Sequence, residues 1–117
     1  MKDSEIRSRA RELAIRIIDE CKKIDTHQGA MVLINQVVRS STSIGANIHE
    51  ANYAASKADF INKLQIALKE CYETEYWIDL MEAVGFISED CKNGFLQESG
   101  VLRKMLVKSI NTAKNNL

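Results

Sequence analysis

The chain has 117 residues, no proline, five glycines and three cysteines, and its 16 basic residues are balanced by 16 acidic ones. That length fits one domain, residues 1–117, with a core that needs no metal or disulfide staple, and the absence of proline removes the commonest obstacle to long helices. Zero net charge argues against a surface coated in positive charge for nucleic acid and leaves a local basic patch open.

The first helix is predicted from about Asp3 to Ile24. Ile6, Ala10, Leu13, Ile17, Cys21 and Ile24 step by three or four residues and share one face. The charged opening, Met1-Lys2-Asp3-Ser4-Glu5, leads into this helix rather than into the apolar region of a signal peptide. Asp25 or Thr26 then caps a second helix, predicted over about His27–Tyr53. Its residues Ala30, Ile34, Val37, Ser41, Ile44, Ile48 and Ala51 alternate steps of four and three, the heptad seam of helices packed nearly parallel. Arg39–Ala46 is rich in poor helix formers and reads equally as a loop by propensity. The unbroken seam across it favours a helix whose small residues let neighbours approach.

A third helix opens at Ser56, with Asp59 three residues on as a weak capping box, and runs to about Val84, where Gly85 is a natural stop. Phe60, Leu64, Ala67, Cys71, Thr74, Ile78 and Met81 form its seam. The fourth helix opens at the N-cap Ser88, with Glu89 and Asp90 in the first turn where the helix dipole favours them. Phe95, Leu102, Met105, Leu106, Ile110 and Ala113 give its apolar face, and Gly94 and Gly100 mark a place for a break. Connections of about two to four residues make successive helices antiparallel neighbours. The expected fold is all-α, an antiparallel up-down-up-down four-helix bundle about 35–40 Å long at 1.5 Å per residue.

The third helix carries a second row, Ile66, Glu70, Glu73, Trp77, Leu80 and Val84, about 100–140° around from the first. On the second helix, Val32, Arg39, Ser43, Ala46 and Glu50 lie opposite the core seam. Arg39 and Glu50 are too far apart to pair on one helix, so each calls for a partner on another helix or another subunit. One account is that these rows cover the flank of the bundle. The other is a subunit interface, since a monomer rarely exposes a large apolar strip. A buried Glu70 or Glu73 then needs a partner charge.

The stretch Arg39-Ser40-Ser41-Thr42-Ser43-Ile44-Gly45-Ala46-Asn47-Ile48-His49-Glu50-Ala51 resembles the R-x-S-x-S-I-x-A-N-I-x-E-G/A block of the bacterial 23S rRNA intervening-sequence protein family, also called four helix bundle proteins. Ser56-Lys57, Phe60-Ile61, Leu64 and Ile66-Ala67, followed by Glu73 and Glu75, are similar to that family's next block, and Gly85-Phe86-Ile87-Ser88 to its following turn. The chain departs from the family pattern at Gly45, where proline is common, at Ala51, and at Lys69-Glu70, where Gly-Ser is common. The resemblance implies a four-helix bundle that assembles into a ring, a homopentamer, and no defined activity. It also implies kinship with the accessory protein of diversity-generating retroelements, a basic pentamer that binds nucleic acid and a reverse transcriptase. The positions it carries over are Arg39, Ser43, Asn47, Glu50, Glu73 and Glu75, none of them expected to be catalytic. With Glu70 and Trp77 of the second row, they are the interface candidates.

Three function classes follow. An enzyme finds little support: His27 and His49 have no ligand spacing, and no zinc, phosphate-loop, nucleophile-elbow or di-iron motif is present. Only Glu50, Glu70 and Glu73 offer carboxylates for a divalent ion, and no cofactor or metal site is predicted. Nucleic-acid binding draws on Arg7, Arg9, Arg11 and Arg16 and on the basic C-terminal stretch, with Arg103, Lys104 and Lys108 as the phosphate-contact candidates. A ring would multiply such a patch, although an ordinary solvated face accounts for the same charges. A scaffold that presents repeated surfaces to a partner, RNA, DNA or protein, asks least of the sequence and is the preferred reading. Cys21, Cys71 and Cys91 fit reduced thiols of a cytoplasmic protein, and no apolar stretch approaches the ~20 residues that span a membrane.

Overall fold

The computed structural model describes residues 3–116 and shows four helices: α1 (Asp3–Cys21), α2 (Met31–Ala51), α3 (Lys57–Ala83) and α4 (Glu89–Asn115). The Met1-Lys2 opening lies outside the described residues. Successive helices run antiparallel, and α1 also packs on α4, so the helices form a square in the order α1, α2, α3, α4. The α2–α3 face therefore lies opposite the α1–α4 face. The body measures 50 × 23 × 20 Å. It is longer than expected because α3 and α4 each span about 40 Å and the turns project beyond them.

The predicted seams are the core. All seven α2 seam residues are buried, as are Ile6, Ala10, Leu13, Ile17 and Cys21 of α1 and every α3 seam residue except the half-buried Phe60. Arg39–Ala46 is helical, which removes the loop reading. The hydroxyls of Ser40, Ser41 and Thr42 donate back to the carbonyls of Val37 and Val38 at 2.7–3.3 Å, consuming the groups that would compete with the helix. The α4 helix is unbroken through Gly94 and Gly100. Burial of Phe95, Ser99 and Leu102 around the two glycines outweighs their propensity cost of about 1 kcal/mol each.

The ends of α3 and the start of α4 follow the caps. Ser56 Oγ accepts from the Asp59 amide and Ser88 Oγ from the Cys91 amide, both at 3.1 Å. Gly85, at φ +86°, ends α3 in a Schellman turn. Its amide donates to the Glu82 carbonyl and that of Phe86 to the Met81 carbonyl.

The first link departs from expectation. The α1 helix stops at Cys21, where the Lys23 and Ile24 amides switch to shorter bonds onto Glu20 and Cys21. Asp25 caps a 3-10 turn at Thr26–Gln28 rather than α2 itself, and Gly29, at φ +77°, turns the chain so that α2 starts at Met31 instead of His27. Residues 22–30 thus form a longer link than the two to four residues expected. Residues 52–56 and 84–88 also exceed that range by one.

Candidate functional site

The family-block residues meet where α2 packs on α3. Arg39 donates to Glu73 at 2.5 Å, to Glu70 at 3.2 Å and to the amide oxygen of its helix neighbour Gln36 at 3.2 Å. Glu70 is buried, with 8% of its surface exposed. Two turns along α2, Asn47 donates to the carbonyl and hydroxyl of Ser43 at 2.8 and 3.1 Å. The two carboxylates are tuned apart. Burial, with Glu73 alongside, raises the Glu70 carboxyl above its ordinary value, while the hydrogen bond from Arg39 lowers that of Glu73. The partner that the sequence demanded for Glu70 and Glu73 is therefore Arg39 of the same chain.

The other block residues are used elsewhere. Glu50 accepts from Lys63 of α3 at 3.1 Å, so it does not join Glu70 and Glu73 as a carboxylate trio. Glu75 faces α4, where it accepts from Ser99 at 2.7 Å and Arg103 at 2.6 Å. The Arg103 guanidinium also covers the Tyr72 ring at 4.9 Å. Arg103 is thus committed to an in-chain pair, whereas Lys104 and Lys108 line a shallow outer groove of α4 with no ion-pair partner among the described residues.

Two features escaped the sequence reading: the bond that Thr74, a residue of the predicted α3 seam, makes to α2, and the burial of Ser99. Ser40 and Thr74 are fully buried and joined by a 2.8 Å hydroxyl bond across α2 and α3. Buried Ser99 fills the step between Phe95 and Leu102, and that spacing was its available signal. All three hydroxyls belong to helix contacts rather than to a reaction centre.

Two surfaces remain uncovered. On the α2–α3 flank, Val32 is 70% exposed and Val84 58%, beside half-buried Ile66, Trp77 and Leu80. The indole N–H of Trp77 is cut off from solvent and has no hydrogen-bond partner among the described residues. At the end of the bundle that holds the α2–α3 turn, a groove of about 940 Å³ opens between α1, α4 and that turn, floored by Ile6, Ala51, Phe60, Val101, Met105 and Ala113 and rimmed by Glu5, Arg9, Lys57 and Lys108.

Charge is segregated along the bundle. In the half that holds the α2–α3 turn, every charged side chain from residue 5 on is basic except Glu5, Glu12, Glu50 and Asp59. In the other half only Arg16, Lys22, Lys23, Arg39 and Lys92 are basic, against more than twice as many carboxylates. The thiols are shielded: burial pushes Cys71 up to about 12 and Cys21 and Cys91 up to about 11.

A family model described as 23S rRNA-intervening sequence protein matches residues 2–108. A crystal structure of a protein with unknown function from the S23 ribosomal protein family of Bacteroides thetaiotaomicron VPI-5482 is 42% identical, covers 95% of this chain and 99% of that one, and superposes with a TM-score of 0.88. No functionally curated protein matches the sequence.

Proposed function

Because the chain belongs to the 23S rRNA-intervening sequence protein family, we propose that it is a non-enzymatic scaffold that assembles as a homo-oligomer, a pentameric ring, in the cytoplasm and presents repeated surfaces to a macromolecular partner. One observation carries this reading. The charged family-block side chains are consumed in pairs that fasten α2 to α3 and α3 to α4, while apolar side chains stand open on the α2–α3 flank and in the groove. A constellation built for chemistry keeps its reactive groups facing a cleft. Here Arg39 faces Glu70 and Glu73, and Arg103 faces Glu75. Large uncovered apolar surface is in turn the signature of a contact site. Size-exclusion chromatography with light scattering tests the assembly, and a partner-free monomer across the micromolar range removes the proposal.

Nucleic-acid binding is the second reading, favoured by the charge segregation. In a ring of parallel copies the basic halves would gather at one rim, and repetition strengthens a weak phosphate contact. Fluorescence anisotropy with a labelled RNA measures it. Affinity should fall steeply as salt rises and should drop further in Lys104→Glu and Lys108→Glu, whereas salt-independent binding contradicts the electrostatic mechanism.

A further inference from the structure

At the α2–α3-turn end of the bundle, α1 and α4 stand apart, and Ala51 of α2 and Phe60 of α3 line the gap between them. Two helices wall the space and the turn backs it, which makes it a pocket rather than a flat face. Its volume of about 940 Å³ falls among those of small-molecule sites, roughly 300–1,000 Å³. We propose that this groove binds a free fatty carboxylate, one per chain, with the acyl chain on the apolar floor and the carboxylate at Lys57 and Lys108. Every wall comes from a single chain, so the site stands apart from the assembly reading.

The floor sets the body of the ligand. Val101 is 37% exposed and Phe60 and Met105 are half-buried, so the groove holds carbon surface that a chain of methylenes would take out of water. Along α4 the wall runs from Val101 to Ala113, ~18 Å at 1.5 Å per residue. That elongated space suits a chain better than a compact ring system. The rim sets the head. Glu5 is answered by Arg9 at 3.6 Å, so that pair adds no net charge. Lys57 donates to the Asn116 carbonyl at 3.2 Å, and neither it nor Lys108 has an ion-pair partner among the described residues. Two cations on flexible stems are therefore in excess beside the apolar floor, and such stems let the ammonium groups reach over it. An anionic head answers both, whereas a cationic head meets the excess charge. A second copy's groove would bring the same two lysines face to face. Nucleic-acid phosphates would answer the lysines and leave the floor to water.

Isothermal titration calorimetry of the full chain with dodecanoate, kept below its micelle-forming concentration, tests the site. One equivalent should bind per 13.2 kDa chain. Affinity should rise about fourfold per methylene from octanoate through decanoate to dodecanoate. Dodecyltrimethylammonium, the same chain with the opposite head charge, should bind about tenfold more weakly or worse. Reversing both rim charges, Lys57→Glu with Lys108→Glu, should lower dodecanoate affinity by about tenfold or more. Lys22→Glu with Lys23→Glu makes the same charge change at the far end of the bundle and should leave the affinity unchanged. Val101→Trp fills the groove and should abolish binding while the chain stays helical by circular dichroism. Uptake of many equivalents without saturation, equal binding of the two head charges, or an equal loss in the far-end variant overturns the site. If Val101→Trp loses its helicity, the rim variant decides, since Lys57 and Lys108 are both exposed. A monomer that binds dodecanoate removes the ring reading and leaves this one standing. An oligomer that binds none does the reverse.

Discussion

The α2–α3 and α1–α4 seams are both antiparallel helix pairs in one bundle, yet they are built differently. Where α2 meets α3, small or hydroxylated residues are buried among the aliphatic ones: Ser40, Ala67, Cys71 and Thr74 have 0% of their surface exposed. Small side chains let the helices close, and the Ser40 and Thr74 hydroxyls and the Glu70 carboxylate left inside are satisfied within the chain. Where α1 meets α4, the side chains do not fill the space. A groove remains, and the cross-helix ion pair is Arg16–Glu98, whose arginine is half exposed while one Glu98 carboxylate oxygen is buried with no hydrogen-bond partner among the described residues. The first seam is finished by its own chain and the second is not. That contrast marks the groove as a place where the chain leaves apolar surface open.

The largest effect should come from overfilling the finished seam. Ser40→Leu puts three carbons in place of one oxygen between helices already in contact and strips the Thr74 hydroxyl of its acceptor, at a cost of about 3 kcal/mol in denaturant unfolding. The corresponding enlargement of the open seam, Val101→Leu, should change the stability of a single chain by less than about 0.5 kcal/mol. Equal costs at the two positions would remove the contrast.

Next in size is the loss of the charge that holds the finished seam. Arg39→Met leaves Glu70 buried beside Glu73 without its cation. It should cost about 1–2 kcal/mol, less than a fully buried pair because Arg39 is half exposed. Arg16→Met, which breaks the pair across the open seam, should cost below about 0.5 kcal/mol.

A smaller effect has a definite dependence on pH. The Glu73 carboxyl is lowered in the folded chain, so the stability it contributes is present above its unfolded value and is lost as pH falls through the folded one. Glu73→Gln should therefore lower the melting temperature at pH 7 and lose that effect in acid. The Glu70 carboxyl is raised, which reverses the sign. Its ionisation penalises the fold above the folded value, and the penalty is relieved as pH falls through that value towards the unfolded one. Glu70→Gln should leave the melting temperature at pH 7 unchanged or slightly higher. If both substitutions destabilise equally at pH 7, burial is not what separates the two carboxylates.

The contrast also explains what was legible in the sequence. The heptad seams of α2 and α3 were readable because burial follows period, and the Ser56 and Ser88 caps and the Gly85 stop because each is a local hydrogen-bond rule. The early end of α1 was not readable: Ile24 keeps the apolar rhythm and still packs on the core from outside the helix. Nor was the partner of Glu70. A row of charges on one helix says that a counter-charge is required, and only the pairing of α2 with α3 shows that Arg39 of the same chain supplies it. The groove left no trace in periodicity, since Val101 and Met105 continue the apolar face of α4 and the open space depends on how far α1 stands away.

Trp77, the only tryptophan, sits half-buried on the α2–α3 flank and reports on whether assembly covers that face. Its emission, followed through a dilution series together with the mass from light scattering, should shift to the red with the same midpoint at which the assembly falls to single chains of 13.2 kDa. An emission spectrum that stays fixed while the mass falls would contradict the account, because the α2–α3 flank would then be as open to water in the assembly as in the single chain.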